Sequence, residues 1–462
     1  MNRVLLIDFG STFTKVTAVD IEKECILGTA TSFTTINTDI NDGLNKAIYS
    51  LEKKYGKINY DRVLACSSAA GGLRMVVSGL VERVTVQAAK QACLGAGAKV
   101  IKVFSYEMTE EDILEIDEIK PEIFLLAGGT DGGDKKCILH NASMLSTCKS
   151  YFPIIIAGNK EVSYRCKNIL SNKEVYIVDN VMPRYNELNI ESAQNQIREI
   201  FLKRIVYAKG ITKMKDLITG IIMPTPSAMM KAMEILAKGY KNEKGIGDIL
   251  AIDMGGATTD VYSICDGLPV ENNIIYKGIK EPYVKRTVEG DIGMRYSVYG
   301  LCDVVGLESI SEISNLKIEK VREIIDRLYL NPNTLPNDDD DDIKHIDYAL
   351  ACKGVEVATI RHAGTREKIY TSNGIAYLQS GKDLRNVSTI IVTGGSIINS
   401  DNTDKIVKFA LYNDNKAESL RPLKSRILID RKYILSAMGL LSEYNPEIAI
   451  RIMKKELNYD GN

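Results

Sequence analysis

Two short apolar runs in this chain end in the same way. Val4–Ile7 reads as a buried strand closed by Asp8 and Gly10, with Thr14, Val16, Ala18 and Val19 as the returning strand. Gly10–Phe13 between them leaves room only for a tight turn. The same device recurs at Ile249–Cys265, where at a constant offset of 245 six of seventeen positions are identical to Val4–Asp20. Asp253, Gly255, Gly256, Ala257, Thr258, Thr259 and Asp260 occupy the second turn and its return.

The rest of the first half alternates strand and helix patterns. Cys25–Thr31 reads as a strand, and Ile40–Tyr55 has helical spacing through Leu44, Ala47, Ile48 and Leu51. Val63–Cys66 is a strand entering "SSAAGG", Val81–Gly95 a helix, and Lys99–Phe104 a strand. Ile123–Leu126 is a buried strand followed by "AGGTDGGD"; "PIIIAGN" and "VYIVDN" are two more strands with a helix between. Such alternation predicts an α/β layer architecture. Glu191–Lys209 carries one apolar stripe of Ala193, Ile197, Phe201, Ile205 and Ala208. Met223–Tyr240 predicts a helix opened by prolines. Its Met229, Met230 and Met233 fit a core face better than an adaptable partner surface.

The second half adds helical patterns at Lys317–Tyr329, Ile346–Arg361 and Tyr433–Leu441. The five aspartates Asp338–Asp342 lack EF-hand spacing and read as a solvated lead into a helix. "TIIVTGGSIIN", within Ser388–Asn399, resembles "IFLLAGGTDGG" of the first half: strand, Gly-Gly, hydroxyl residue. The paired devices predict two lobes of related fold, divided as 1–190, an inter-lobe helical connection 191–248, and 249–462.

Composition narrows the partners. The 462 residues carry 59 basic and 60 acidic side chains, so no electrostatic footprint favours nucleic acid or an anionic membrane. Nine cysteines, none within ten residues of another, offer no C-x-x-C pair for zinc, cluster or redox chemistry. That scatter suits reduced thiols in a cytosol. Asp8 interrupts the first apolar run too early for a signal peptide, and no stretch approaches a membrane span, so a cytoplasmic protein is expected. The P-loop pattern is absent, and "GAGAKV" lacks the last glycine of a dinucleotide fingerprint.

The candidate chemistry sits in the two turns. Glycine lets a ligand approach the backbone, and such turns aim several N–H groups at one spot, as a phosphate requires. Ser11, Thr12 and Thr14 add hydroxyl donors and Lys15 adds a charge.

Strand–Asp-x-Gly hairpin, the same hairpin again, then strand–Gly-Gly-Ser: this order resembles the actin / sugar kinase / Hsp70 ATPase superfamily. The resemblance implies two ribonuclease-H-like lobes with ATP in the cleft between them. It implies Asp8 and Asp253 as the catalytic and metal-site carboxylates, facing each other across the phosphates. Mg²⁺ would neutralise them, and one of the two, Asp253 in preference to Asp8, would orient the attacking water. Phosphate contacts would come from Gly10, Ser11, Thr12, Lys15, Gly255, Gly256, Thr258 and Thr259. Gly394, Gly395 and Ser396 would let the nucleoside lie against the backbone.

A closer resemblance rests on "SSAAGGLR", "LLAGGTDGG", "AGNKE", "NVMPRYNELNIE", "MPTPSA", "DMGGATTDVYS", "EGDIGMR", "RHAGTRE" and "VTGGSIIN". Together these are similar to the glutamate mutase accessory protein family. That implies an ATP-dependent, chaperone-like reactivating factor for adenosylcobalamin-dependent mutases, glutamate mutase among them. A small-molecule kinase of the same fold is the alternative. His140, His345 and His362 stand in no D-x-H-x-x-G pattern, so direct cobalamin binding is not expected.

Overall fold

Each aspartate-tipped hairpin begins a five-stranded sheet. The computed structural model describes residues 2–10, 13–34, 40–68, 73–208, 222–269, 271–334, 336, 340–372 and 374–459. In the first sheet Arg3–Phe9 pairs antiparallel with Phe13–Asp20, which pairs antiparallel with Cys25–Phe33. On its other side Arg3–Phe9 pairs parallel with Arg62–Ser67, and that strand with Ile222–Pro224. The second sheet repeats every pairing with Ile249–Met254, Thr259–Ile264, Val284–Glu289, Thr389–Thr393 and Arg426–Ile429. The register agrees too: Asp8 lies opposite Lys15, and Asp253 opposite Asp260. This is the ribonuclease-H-like topology of the actin-like ATPase fold, built twice.

A third sheet lies between the fourth and fifth strands of the first. Its strands, in the order Lys99–Ser105, Arg74–Gly79, Ile123–Leu126, Ile154–Ile156 and Val175–Ile177, are all parallel. This corrects one expected correspondence. "IFLL" belongs to the parallel sheet, so it is not the counterpart of "TIIV". That counterpart is Arg62–Ser67, the parallel neighbour of the first aspartate strand, which runs into "SSAAGG". The two glycine loops look alike because any buried parallel strand that turns sharply at its carboxyl end favours the same residues. Ile222–Pro224, expected as the start of a helix, is instead the edge strand that completes the first sheet. Proline is tolerated on such an edge.

The carboxyl-edge loops of the parallel sheet interlock. Asn159 Nδ2 donates to the Gly133 and Asp134 carbonyls, and Asn180 Nδ2 to the Gly129 carbonyl and Asp131 Oδ1. "AGGTDGG", "AGNKE" and the start of "NVMPRYNELNIE" therefore form one cross-linked surface.

Two helices fill the space between the lobes. Thr225–Lys238 follows the last strand of the first sheet, and Leu435–Ser442 follows the last strand of the second. One core contains Leu6 and Leu64 of the first sheet, Ala251 and Ile391 of the second, and both helices. Met229, Met230 and Met233 are buried in it, as the core reading expected. The helices touch backbone to backbone: a Cβ on Gly439 would lie 1.9 Å from the Ala228 carbonyl oxygen. Gly439→Val should therefore lower the thermal unfolding midpoint, at a cost of about 1–3 kcal/mol for overpacking. An unchanged midpoint would show that the crossing is not a tight constraint.

Candidate functional site at the meeting of the two hairpins

The two turns are built alike. Gly10 N–H donates to the Phe13 carbonyl at 3.1 Å, and Gly255 N–H to the Thr258 carbonyl at 2.9 Å. A Cβ on Gly10 would meet that same Phe13 oxygen at 2.5 Å, so the turn requires glycine. Ser11 and Thr12 lie outside the described residues.

Asp8 is buried, and both its oxygens accept hydrogen bonds. Thr225 Oγ1 donates to Oδ1 at 2.6 Å and Ser436 Oγ to Oδ2 at 2.9 Å. These hydroxyls come from the first turns of the two inter-lobe helices, so the first-lobe carboxylate is held from both lobes. Neither Thr225 nor Ser436 was singled out from the sequence. Each is a hydroxyl at a helix start, where local capping is the usual reading.

Asp253 lies close enough to Asp8 for the two charges to act on each other, with Asp260 and Asp430 also contributing. Burial, reinforced by these carboxylates and opposed by Lys15, pushes its carboxyl up to about 6. Asp430 is a third strand-tip aspartate, closing the apolar run Ile427–Ile429 as Asp8 closes Leu5–Ile7. It accepts from the Ile434 and Leu435 amides, yet burial still raises its pKa. The pattern was present in the sequence and went unread. Lys15 Nζ stands 4.4 Å from the ring centroid of Tyr433 and acts on both Asp253 and Asp430. The first hairpin thus supplies the cation facing the carboxylates of the second lobe.

Gly394 and Gly395 follow the strand beside Asp253. Gly394 has φ +101°, and a Cβ there would lie 2.2 Å from the Met254 carbonyl oxygen. A Cβ on Gly395 would lie 3.2 Å from the Tyr433 hydroxyl. The buried Thr393 Oγ1 and Ser396 Oγ flanking this turn have no hydrogen-bond partner. Thr258 Oγ1 donates weakly to Asp260 Oδ2, at 3.4 Å. Thr259 needs correction: it is fully buried and its hydroxyl donates to the Ile292 carbonyl, so it braces the turn from behind.

Two sequence blocks acquire a physical role here. In "EGDIGMR", the Met294 amide donates to the Gly255 carbonyl, and Arg295 N–H to that of Gly256. Gly293 packs where a Cβ would lie 2.6 Å from the Ala257 carbonyl carbon. Arg295 forms a buried two-pronged pair with Asp347 at 2.9 and 2.7 Å. In "RHAGTRE", Arg361 binds Glu289 and Asp291, and its hydrogen bonds hold the Asp291 carboxyl below the usual range. These braces fix the second turn.

Among the described residues the site offers three glycine turns, Lys15, a gathering of carboxylates and the unpartnered Thr393 and Ser396 hydroxyls. It fits a polyphosphate ester accompanied by a divalent cation. Among the described residues no group of three or more His, Cys, Asp or Glu side chains is placed to hold a metal alone. A cation here would have to take most of its ligands from phosphate and water, as Mg²⁺ does. All nine cysteines are free thiols.

A carboxyl whose pKa is raised by folding binds its proton more tightly in the native state. Stability from Asp253 is therefore greatest below about pH 4, the unfolded carboxylate value, and falls as pH rises toward 6. Asp253→Asn should remove that loss. Its thermal midpoint relative to the natural protein should rise between pH 4 and 7; a difference independent of pH would overturn the assignment.

Known proteins place the chain. The family described as MutL protein matches residues 4–457. Protein MutL of Clostridium tetanomorphum is 46% identical over 465 residues, spanning 99% of this chain and 99% of its own. Among solved structures, (R)-2-hydroxyglutaryl-CoA dehydratase component A of Acidaminococcus fermentans is similar at 10% identity and TM-score 0.31, covering 99% of both chains. Xylulose kinase of Bifidobacterium adolescentis is similar at 11% identity and TM-score 0.32, covering 99% of this chain and 94% of its own. By the span of the family match and the full-length identity, the chain belongs to the MutL protein family, the glutamate mutase accessory family that its motifs resemble.

Proposed function

We propose that the protein is an Mg²⁺-dependent ATPase that reactivates an adenosylcobalamin-dependent mutase, glutamate mutase being the first candidate. The observation that carries the ATPase part is the convergence of both hairpins on Asp8, Lys15 and Asp253. The partner rests on family membership.

In this reading Gly10 and Gly255, whose own N–H groups close the turns, let the phosphates approach the two hairpins from opposite lobes. Lys15 offsets phosphate charge. Thr393 and Ser396 provide hydroxyls, and Gly394–Gly395 leave space for the nucleoside. Mg²⁺ would supply charge neutralisation between the carboxylates and the phosphates. Asp8 keeps acceptor capacity for its bound waters, since a carboxylate has about four acceptor sites and two are used. Asp253, partly exposed, orients the attacking water. Phosphoryl transfer needs mainly such positioning and charge stabilisation.

Chaperone action follows from differential affinity. A mutase that has lost its adenosyl group still grips the corrin. A factor that binds the loosened mutase better in one nucleotide state stabilises that state and lets the damaged cofactor leave.

Purified protein with hydroxocobalamin-inactivated glutamate mutase, fresh coenzyme and Mg²⁺-ATP should restore mutase activity. A non-hydrolysable analogue should not. Asp8→Asn and Asp253→Asn should each abolish ATP turnover without loss of the folded state, judged by thermal unfolding. Retained turnover would remove these carboxylates from the mechanism. Stimulation of ATP turnover by a small hydroxyl compound, with no mutase recovery, would establish the kinase alternative.

A further inference from the structure

The helix Gln87–Gly95 ends in a turn that joins three parts of the molecule. Ala98 N–H donates to the Cys93 carbonyl and Gly97 N–H to that of Leu94, with Gly97 at φ +88°. This is a Schellman ending, which leaves the carbonyls of Gly95, Ala96 and Ala98 open to other donors. All three are taken by side chains from elsewhere. Arg198 Nη2 donates to Gly95 O at 3.0 Å, Ser227 Oγ to Ala96 O at 2.9 Å, and Arg286 Nη1 to Ala98 O at 3.0 Å. Gly97 itself packs against Pro224 and Ser227, where a Cβ would lie 2.8 Å from the proline Cβ and 2.7 Å from the serine hydroxyl.

Two of these donors lead back to the cleft, one to each hairpin. Ser227 lies two residues beyond Thr225, which donates to Asp8. Arg286 Nε donates to Asp260 Oδ1 at 2.8 Å, and Asp260 stands directly opposite Asp253 on the second hairpin. Arg286 and Ser227 are both buried, so neither link is loosened by competing water. On the other side, the helix packs within the parallel sheet's own core, alongside Met75, Val77 and Leu125. The carboxyl-edge loops of that sheet are cross-linked through Asn159 and Asn180. Those bonds tie the loops into one surface.

We propose that Leu94–Ala98 is the joint through which nucleotide in the cleft reorients the parallel-sheet unit, with Ser227 and Arg286 as its two linkages. The inference rests on the nucleotide reading of the cleft. Each linkage reports one lobe, so the joint senses their relative position rather than the state of either alone. Arg286 suits this role because its planar fork presents separate nitrogens, in fixed geometry, to the Asp260 carboxylate and the Ala98 carbonyl.

The test uses hydrogen exchange by mass spectrometry on the full chain, with and without a Mg²⁺–non-hydrolysable ATP analogue, and calorimetry on the same samples. Variants are Arg286→Lys, which keeps the buried charge, and Ser227→Ala, a small change that leaves the fold intact even if the first does not. In the natural protein nucleotide should change exchange in peptides covering Cys93–Lys99 and the loops at Ala127–Asp134. Each variant should still give binding heat and lose that change. Binding heat with no exchange change in the natural protein, or a full change in both variants, overturns the joint alone. No binding heat in the natural protein overturns the nucleotide reading and the joint with it.

Discussion

Everything at the centre of the molecule depends on how closely two helices cross. Thr225–Lys238 and Leu435–Ser442 approach until Gly439 lies against the Ala228 carbonyl, and any side chain there would push them apart. That contact fixes the spacing of the two sheets, which share one apolar core through these helices. It also brings two helix starts, with Thr225 and Ser436, onto the single carboxylate of Asp8. Packing and polar chemistry are therefore one constraint. The hydroxyls reach Asp8 together only while the helices stay crossed at this distance.

The electrostatics follow from the same geometry. Asp8, Asp253 and Asp430 close three apolar strands at the carboxyl ends of two sheets, and Lys15 is the cation set among them. The raised pKa of Asp253 records burial first, opposed by Lys15 and reinforced by the neighbouring carboxylates. Such a site is in tension with itself until positive charge arrives. A phosphate alone would increase the repulsion, whereas a phosphate with a divalent cation relieves it. The turn glycines make the complementary provision, since backbone amides contribute positive potential without adding a titratable group.

Much of the fold was legible because the strongest signals are local. The helix at Ile40–Tyr55 and the strand at Ile123–Leu126 stand where periodicity put them. The repeated hairpin gave both lobes, down to matching register. What escaped was decided by tertiary contact. Ile222–Pro224 is three residues long and becomes a strand only because Arg62–Ser67 offers it an edge. The parallel sheet was hidden because its strands carry the same apolar signature as those of the lobes. In the site, Asp8 and Lys15 were readable from the hairpin itself. Thr225 and Ser436 are 217 and 428 residues from Asp8 in sequence, and no local pattern marks a hydroxyl for so distant a partner. Thr259 was misread for a simpler reason. Strand alternation places its side chain on the face opposite its neighbour, toward Ile292 rather than the turn.

The two sides of the site are not braced equally, and this bears on how it works. The second turn has its Gly255 and Gly256 carbonyls held by the amides of Met294, Arg295 and Tyr296. Behind them stand the Arg295–Asp347 pair and the Arg361 contacts to Glu289 and Asp291. Among the described residues, the first turn has Thr34 Oγ1 donating to the Gly10 carbonyl. A buried two-pronged arginine pair such as Arg295–Asp347 resists displacement far more than one hydroxyl bond does. The second turn is thus firmly held against its own lobe. Lys15, carried on the first hairpin, faces the carboxylates Asp253 and Asp430 of the second lobe. Asp8, opposite Lys15 in the same hairpin, accepts from Thr225 and Ser436. One hairpin thus joins the helix crossing, through Asp8, to the carboxylates of the second lobe, through Lys15.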